Sequence, residues 1–363
     1  MFPREVISTG SLVLRCPADS DAEAIVRACD DPVTARFLYV LPSPYTLRDA
    51  RDYLRAAEAK WAKGGAEFTI TENGDYVGAI GVRPPDAWGV AELGYLAAPW
   101  ARGKGVVTKA ARAVTEWLFD HGVERVELNA AVENIASLRV AFKAGFQEEG
   151  RRRDAKVGRD GRRVDIITLA RIRRDAGVAA EPYLPFFDGG ELSDGVVRLT
   201  PMEVADAPEF HAMMREPSVA AYGVGPRTTL EDDERRCRYT GYWWVSGQRI
   251  ELAIRNAVSG EFAGQLQLVH VQPVIGQGMI GYSLRPEFRG RGFMTRAVRL
   301  LVDWAFANTP LHRIVAGTDA GNKASQRVLE RAGFVRESAH RELLPREDGT
   351  RADELEWLRL RPR

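Results

Sequence analysis

Cysteine and histidine are scarce in this chain. The three cysteines, Cys16, Cys29 and Cys237, share no CxxC spacing and write no disulfide framework. The five histidines are scattered, so the expectation for a metal is none. Net charge is nearly absent as well: 51 basic against 50 acidic residues leave +1, so no global field draws the chain to nucleic acid or to an anionic membrane. No apolar run is long enough to span a bilayer, and the opening M-F-P-R-E lacks the apolar stretch of a signal peptide. These absences predict a cytoplasmic protein with neither nucleic acid nor membrane as partner.

What the chain has is repetition. The segment E-L-G-Y-L-A-A-P-W-A-R-G-K-G at 92–105 returns as M-I-G-Y-S-L-R-P-E-F-R-G-R-G at 279–292. N-I-A-S-L-R-V-A-F-K-A-G-F at 134–146 returns as N-K-A-S-Q-R-V-L-E-R-A-G-F at 322–334. Two motifs that keep their order and almost their spacing mark a duplicated domain. A length of 363 residues suits two cores better than one. The sequence therefore divides into an N-terminal domain at 1–176, a linker at 177–193 and a C-terminal domain at 194–363. Pro182, Pro185 and Gly189-Gly190 punctuate the linker, while Tyr183, Phe186 and Phe187 predict that it packs on a domain.

Each half opens with a short strand (12–15, 196–199) and a helical stretch (21–29, 204–215). Strand-like runs follow at 68–71 and 76–82, then at 250–254 and 262–269, with Asn73-Gly74 as a hairpin signal. Both halves then run strand, glycine loop, long helix, strand, helix, and end in charged strands around Asp165 and Asp353. The long helix carries an apolar stripe at Val107, Ala110, Ala111, Val114, Trp117 and Leu118, repeated by Met294, Ala297, Val298, Leu301, Trp304 and Ala305.

The glycine loop is the chemical signal. Glycine lets backbone approach a ligand closely, and the first N–H groups of a helix have no internal partner, so they can bind phosphate oxygens. Arg102, Lys104, Arg289 and Arg291 add positive charge. A tight strand-to-helix turn with solvated basic residues is the structural alternative, and repetition at matched positions argues against it. A Walker loop is absent, and the third glycine of a dinucleotide fingerprint is missing from both copies.

Strand, P-x-x-R-G-x-G, helix, then N-x-x-S with a terminal G-F resembles the GNAT superfamily of acyl-CoA-dependent N-acetyltransferases. The R-G-K-G-x-x-T and N-x-A-S-x-x-V forms look most like its ribosomal-protein alanine acetyltransferase (RimJ/RimL-like) branch. The resemblance covers both halves and implies an α/β (α+β) fold of two tandem domains, each a mixed, mostly antiparallel sheet flanked by helices. It implies acetyl-CoA as co-substrate. Backbone amides of Arg102, Gly103, Lys104, Gly105, Val107 and Thr108 would hold its pyrophosphate, as would those of Arg289, Gly290, Arg291, Gly292, Met294 and Thr295. The strand ends at Leu96-Ala97 and Ser283-Leu284 would bond the pantetheine arm, with Asn134 and Asn322 on its other side. The family prefers Gly or Ala where this chain has Val107 and Met294; the added bulk either crowds the pyrophosphate or extends the apolar stripe.

Acetyl transfer to an amine needs a base for the ammonium, a donor for the oxyanion and a proton for the thiolate, each acid or base worth about 10²–10⁴-fold. Glu92, on the strand feeding the first loop, is the expected base; an ordinary strand carboxylate is the competing reading. Met279 at the matching position cannot accept a proton, leaving Glu337, His340 and Asp353 as candidates by location, with Glu149 and Asp165 as acidic counterparts. The tyrosine that many relatives use as acid is replaced by Ala141 and Leu329. The branch offers Ser137 and Ser325 instead, with a helix N-cap as their structural alternative. Tyr242-Trp-Trp244 reads as core at a strand start or as pocket lining.

The leading expectation is a tandem N-acetyltransferase moving acetyl to a primary amine by direct attack. The acceptor is a small molecule or a protein N-terminus, and an intrachain pseudo-dimer of the two domains is consistent with the duplication. The first half is expected to keep more of the catalytic apparatus. The alternatives are one catalytic half beside a non-catalytic acyl-CoA-binding or acceptor-positioning module, and a chain that uses acyl-CoA only as a regulatory ligand.

Overall fold

The computed structural model describes residues 2–180, 182–346 and 349–362. The chain divides into two compact units, Met1–Glu181 and Pro182–Arg363. The first contains β1 (Ile7–Thr9), β2 (Leu12–Arg15), α1 (Ala22–Cys29), α2 (Pro32–Phe37), α3 (Leu47–Ala62), β3 (Ala66–Glu72), β4 (Asp75–Val82) and β5 (Val90–Ala97). It continues through α4 (Val106–Asp120), β6 (Arg125–Ala131), α5 (Ile135–Lys143), β7 (Gln147–Val157) and β8 (Arg163–Ile172).

The second unit repeats this plan. It runs β9 (Leu192–Ser193), β10 (Val197–Pro201), α6 (Ala207–Arg215), α7 (Pro217–Ala220), α8 (Leu230–Val245), β11 (Ile250–Asn256), β12 (Phe262–Gln272) and β13 (Gln277–Leu284). Then come α9 (Phe293–Asn308), β14 (Arg313–Asp319), α10 (Lys323–Arg331), β15 (Val335–Pro345) and β16 (Arg351–Leu360). The sheets order as β1-β2-β3-β4-β5-β6-β8-β7 and β9-β10-β11-β12-β13-β14-β16-β15. Every neighbouring pair is antiparallel except β5–β6 and β13–β14, which are parallel. Each domain is thus the mixed, mostly antiparallel sheet with flanking helices expected from the sequence.

Among the helices not expected are two of sixteen residues each. The segments that become α3 and α8 are heavily charged, yet each has a capping box. Thr46 with Asp49, and Thr229 with Asp232, exchange side-chain and backbone hydrogen bonds across the first turn. Tyr242-Trp-Trp244 therefore sits at the end of α8 and does not open a strand: Trp244 is 1% exposed, stacked on Phe186 at 4.9 Å and edge-on to Phe187 at 4.8 Å. Helical period turns Trp244 inward in α8 as it turns Trp61 inward in α3, each the fifteenth residue of its helix.

The described residues of the 177–193 segment are tied down on both sides of position 181. Ala180 N–H donates to Phe142 O at 3.0 Å, Leu184 and Phe187 lie in the core of the second unit, and Leu192–Ser193 forms β9. One buried ion pair recurs with its parts exchanged. In the first unit Arg15 of β2 forks onto Asp21 at 2.7 and 2.8 Å, with Thr69 of β3 adding a bond. In the second, Arg255 of β11 forks onto Asp206 while bonding Thr200 of β10. In both, a carboxylate at the start of the first helix is clamped to the sheet by an arginine.

Candidate active site

The site in each domain begins where two parallel strands part. The β5–β6 ladder runs from Val90↔Arg125 to Leu93↔Leu128 and stops, although β5 continues to Ala97 and β6 to Ala131. The β13–β14 ladder runs from Gln277↔Arg313 to Met279↔Val315 and stops earlier. On the far side, a Cβ on Gly78 would lie 2.5 Å from Leu96 O, and one on Gly264 would press on Ser283 O. Glycine there lets the ends of β5 and β13 lie hard against their antiparallel neighbours, away from β6 and β14. The edges at Leu96-Ala97 and Ser283-Leu284 are left without a strand partner on the open side, among the described residues. Such an edge can bond an extended amide chain as an added strand.

At the tip of each opening lies a glycine loop. Gly105 (φ +74°) and Gly292 (φ +80°) are the N-caps of α4 and α9, and neither helix has a side-chain cap. Left-handed φ at these caps, and at Gly103 and Gly290 (φ +76° and +73°), is what glycine tolerates without strain. The first helical rungs are Lys109 N–H to Gly105 O and Arg296 N–H to Gly292 O, both 3.1 Å. The N–H groups of residues 106–108 and 293–295 therefore point outward at the positive end of a long helix, which suits a pyrophosphate.

The loop arginines brace this backbone. Arg102 pairs with Asp31 and bonds Thr34 at 2.8 Å, which holds the Asp31 carboxyl below the usual range. Arg289 donates to Ser218 Oγ at 2.8 Å and to Leu284 O. Lys104 is exposed, and Arg291 lies over Phe288 and Phe293. Val107 and Met294 are each 5% exposed and pack into the core, while Thr108 and Thr295 are half-buried on the first turn.

Asn134 and Asn322 cap α5 and α10, accepting from Ser137 N at 3.1 Å and Ser325 N at 3.0 Å. The asparagines thus hold the cap position that was one reading of Ser137 and Ser325. Freed from capping, each serine hydroxyl meets a tyrosine of the parting strand: Tyr95 Oη lies 3.1 Å from Ser137 Oγ, and Tyr282 Oη lies 2.9 Å from Ser325 Oγ. Burial pushes the Tyr95 hydroxyl pKa up, and that of Tyr282 up to about 12, so both stay protonated. The sequence reading passed over these tyrosines, although both stand in the repeated G-Y.

The expected bases fare unequally. Glu92 is half-buried and pairs with the exposed Arg83 at 2.9 Å, two residues before Gly94 on the same face. Met279 holds the matching place. Arg313 binds Glu337 and Arg125 binds Glu149, holding both carboxyls below the usual range, the wrong direction for a base at neutral pH. Asp353 and Asp165 accept backbone bonds from Glu342 and Asp154. His340 lies 3.0 Å from Ser338 and 3.4 Å from Glu356. A separate cavity of about 610 Å³ beside α1 and α3 shares no lining residue with these clefts. No helix among the described residues is long and apolar enough to cross a membrane.

Comparison with known proteins gives the same picture twice over. The model of the acetyltransferase (GNAT) domain family matches residues 11–147 and again 197–335. A probable N-acetyltransferase, YjcK of Bacillus subtilis, is 31% identical over 156 residues, covering 41% of this chain and 86% of the relative. A putative ribosomal N-acetyltransferase of the same organism, YdaF, is 35% identical over 83 residues, 23% of this chain and 45% of the relative. Among solved structures, ribosomal-protein-S5-alanine acetyltransferase from Vibrio fischeri is 21% identical, covering 47% of this chain and 96% of its own, with a TM-score of 0.44.

Proposed function

The chain belongs to the GNAT acetyltransferase family and carries its domain twice, and from that premise we propose that both clefts load acetyl-CoA and transfer its acetyl group to a primary amine by direct attack. The protein is an acetyltransferase with acetyl-CoA as co-substrate. One observation carries the proposal: in both domains the parting of two parallel strands leads into an uncapped helix N-terminus at a left-handed glycine. A strand edge for an amide chain and a cluster of N–H groups for a pyrophosphate are the two things the co-substrate needs held.

Acetyl-CoA supplies an activated thioester. The proposed cofactor contacts are the backbone of residues 102–108 and 289–295, the edges at Leu96-Ala97 and Ser283-Leu284, and the sides of the clefts at Asn134 and Asn322. The proposed acids are Ser137 and Ser325. A Tyr95 or Tyr282 hydroxyl that donates to the serine Oγ leaves the serine proton available for the thiolate. These hydroxyls sit on the α4–α5 and α9–α10 faces of their sheets. Glu92 projects from the opposite face, where Gly94 has nothing within 4 Å of a would-be Cβ. An amine arriving on that face meets Glu92 as its base while the thiolate departs on the other. Among the described residues Glu92 is held only by Arg83, an exposed partner worth little in water.

The acceptor is proposed to be an alanine-like protein N-terminus, after the RimJ/RimL-like motif forms, or a small amine. A C-terminal domain that binds acyl-CoA without transferring draws on Met279 alone. Calorimetric titration with acetyl-CoA tests the loading: two sites per chain support the proposal, and no binding overturns it. Release of CoA across a panel of spermidine, an alanine-initiated peptide and n-butylamine tests the transfer.

A further inference from the structure

The C-terminal domain lacks an acid at Met279, yet another carboxylate reaches its cleft from the opposite wall. Past the last rung, Met279↔Val315, the next same-face positions on the parting strands are Gly281 and Gly317. Sheet register puts Gln267 beside Gly281, and Glu356 and Glu354 beside Gly317 and Asp319, so all these side chains share one face. That face is the one α8 covers, because Arg236 of α8 bonds both Glu251 and Gln267 on it. The Tyr282–Ser325 pair stands on the opposite face.

The two glycines are filled from above by different groups. A Cβ on Gly281 would lie 2.6 Å from Gln267 Nε2. A Cβ on Gly317 would collide with the Glu354 carboxyl, its Cδ at 2.7 Å and its Cγ at 3.4 Å. Glu354 therefore folds back over the β14 backbone at the point where β14 has left β13. Among the described residues no ion pair engages it. The charged groups around it are His340 and Glu356 on the neighbouring strand positions, and Asp319, which is bound by Arg346 at 2.7 Å. Arg236 and Glu251 stand on the far lip.

We propose that Glu354 is the general base of the C-terminal domain, taking a proton from an acceptor ammonium that enters over Gly281 and Gly317. The inference rests on the transferase reading above. In the step it serves, Glu354 takes one proton from R–NH₃⁺. The nitrogen lone pair then forms the N–C bond to the thioester carbon, and the carbonyl π pair moves to oxygen. When the tetrahedral centre collapses, the C–S bond breaks and its pair goes to sulfur. Ser325 gives its proton to the departing thiolate and regains one from water, while the second nitrogen proton and the proton on Glu354 pass to water. Burial pushes the Glu354 carboxyl above the ordinary glutamate range, His340 pulling the other way and Glu356 adding to the rise. That direction suits a base working near neutral pH.

The first domain has Ile166 at the place of Glu354, opposite Ala131 of β6 and 1% exposed. The two domains have thus exchanged positions: carboxylate on the β5 wall and isoleucine on the other in one, methionine and carboxylate in the other.

The test uses the intact chain with Gly105→Asp, which closes the first loop, and the amine panel named above. Turnover should persist in this variant with one acetyl-CoA bound. Adding Glu354→Gln should lower CoA release about 10²–10⁴-fold while acetyl-CoA still binds at one site, and should remove the acid limb of the pH–rate profile. Undiminished turnover in the double variant overturns the proposal, as does a Gly105→Asp chain that is inactive while the unaltered chain works. No turnover by either chain with any amine sinks the transferase reading and the base with it. A loss of acetyl-CoA binding in the double variant would show Glu354 to be a structural group and would likewise overturn it.

Discussion

The two domains share a backbone plan and differ in how one face of the sheet is furnished. In the N-terminal domain the row across β3, β4 and β5 is Glu67, Gly81 and Gly94, and the space above Gly94 is open. In the C-terminal domain the row is Glu251, Gln267 and Gly281, and Gln267 covers the last of these. The anchoring helix changes in step. Tyr53 and Arg236, each the seventh residue of its helix, reach the buried glutamate of their own domain. A cleft bounded by two strands has two walls facing one opening, so a carboxylate on either can serve an amine between them. The comparison teaches that a carboxylate absent from one wall, at Met279, can stand on the other, at Glu354.

The strongest way to break the comparison is to close the loops one at a time. Gly105→Asp and Gly292→Asp each force a side chain into left-handed φ and set a carboxylate among the N–H groups proposed to hold phosphate. Each should weaken one acetyl-CoA site on the order of 100-fold or more, so calorimetric stoichiometry falls from two to one. A single variant that abolishes both sites would deny that the clefts are independent.

The bases come next. In the Gly292→Asp chain, Glu92→Gln should cost about 10²-fold in CoA release, toward the low end because the pair with Arg83 is exposed. Full activity there would remove Glu92 from the chemistry. The C-terminal site should depend on pH through its own carboxylate. A base must be ionised to act, and the Glu354 carboxyl is raised, so activity in the Gly105→Asp chain is present above that folded-state pKa and fades as the pH falls through it. The fall should begin above the ordinary glutamate value of about 4.3; a flat profile down to that value contradicts the assignment.

A stability contrast follows from the anchors. Glu251 is fully buried between Arg236 at 2.9 Å and Arg249 at 3.2 Å. Glu251→Gln should destabilise the C-terminal domain by about 3–5 kcal/mol. Glu67→Gln should cost the N-terminal domain about 1–3 kcal/mol, because it leaves one cation, Lys60, unpaired where Glu251→Gln leaves two arginines. Urea titration of the two variants orders them, and an equal or reversed cost would refute the contrast. The smallest effect belongs to the tyrosines: Tyr95→Phe and Tyr282→Phe should each slow their own domain about fivefold, the loss of one hydrogen bond of about 1 kcal/mol. Acetyl-CoA affinity should stay unchanged, and a change in affinity alone would make the tyrosines binding groups.

Much of this was legible along the chain. The loops could be read because their conformation is local: a glycine at left-handed φ followed at once by an apolar helical stripe needs no distant residue to define it. The long helices and most strands followed from periodicity for the same reason. α3 and α8 escaped because their apolar faces are interrupted by charged residues that snorkel or pair, although the capping boxes at Thr46 and Thr229 were there to be seen. The Tyr95–Ser137 pair escaped because its members are 42 residues apart, and nothing local tells a serine which strand its helix will cover.

The sequence by itself determined that there are two like domains, and where each turns through a glycine loop into a long helix, because repetition and local dihedral preference are properties of neighbouring residues. Only the tertiary structure decided which carboxylate faces which opening. Glu354 is 37 residues beyond Gly317 in the chain and meets it through the register of β14 with β16. That register, and the point at which β14 leaves β13, are set by the packing of whole strands, where a shift of one residue would turn Glu354 to the other face.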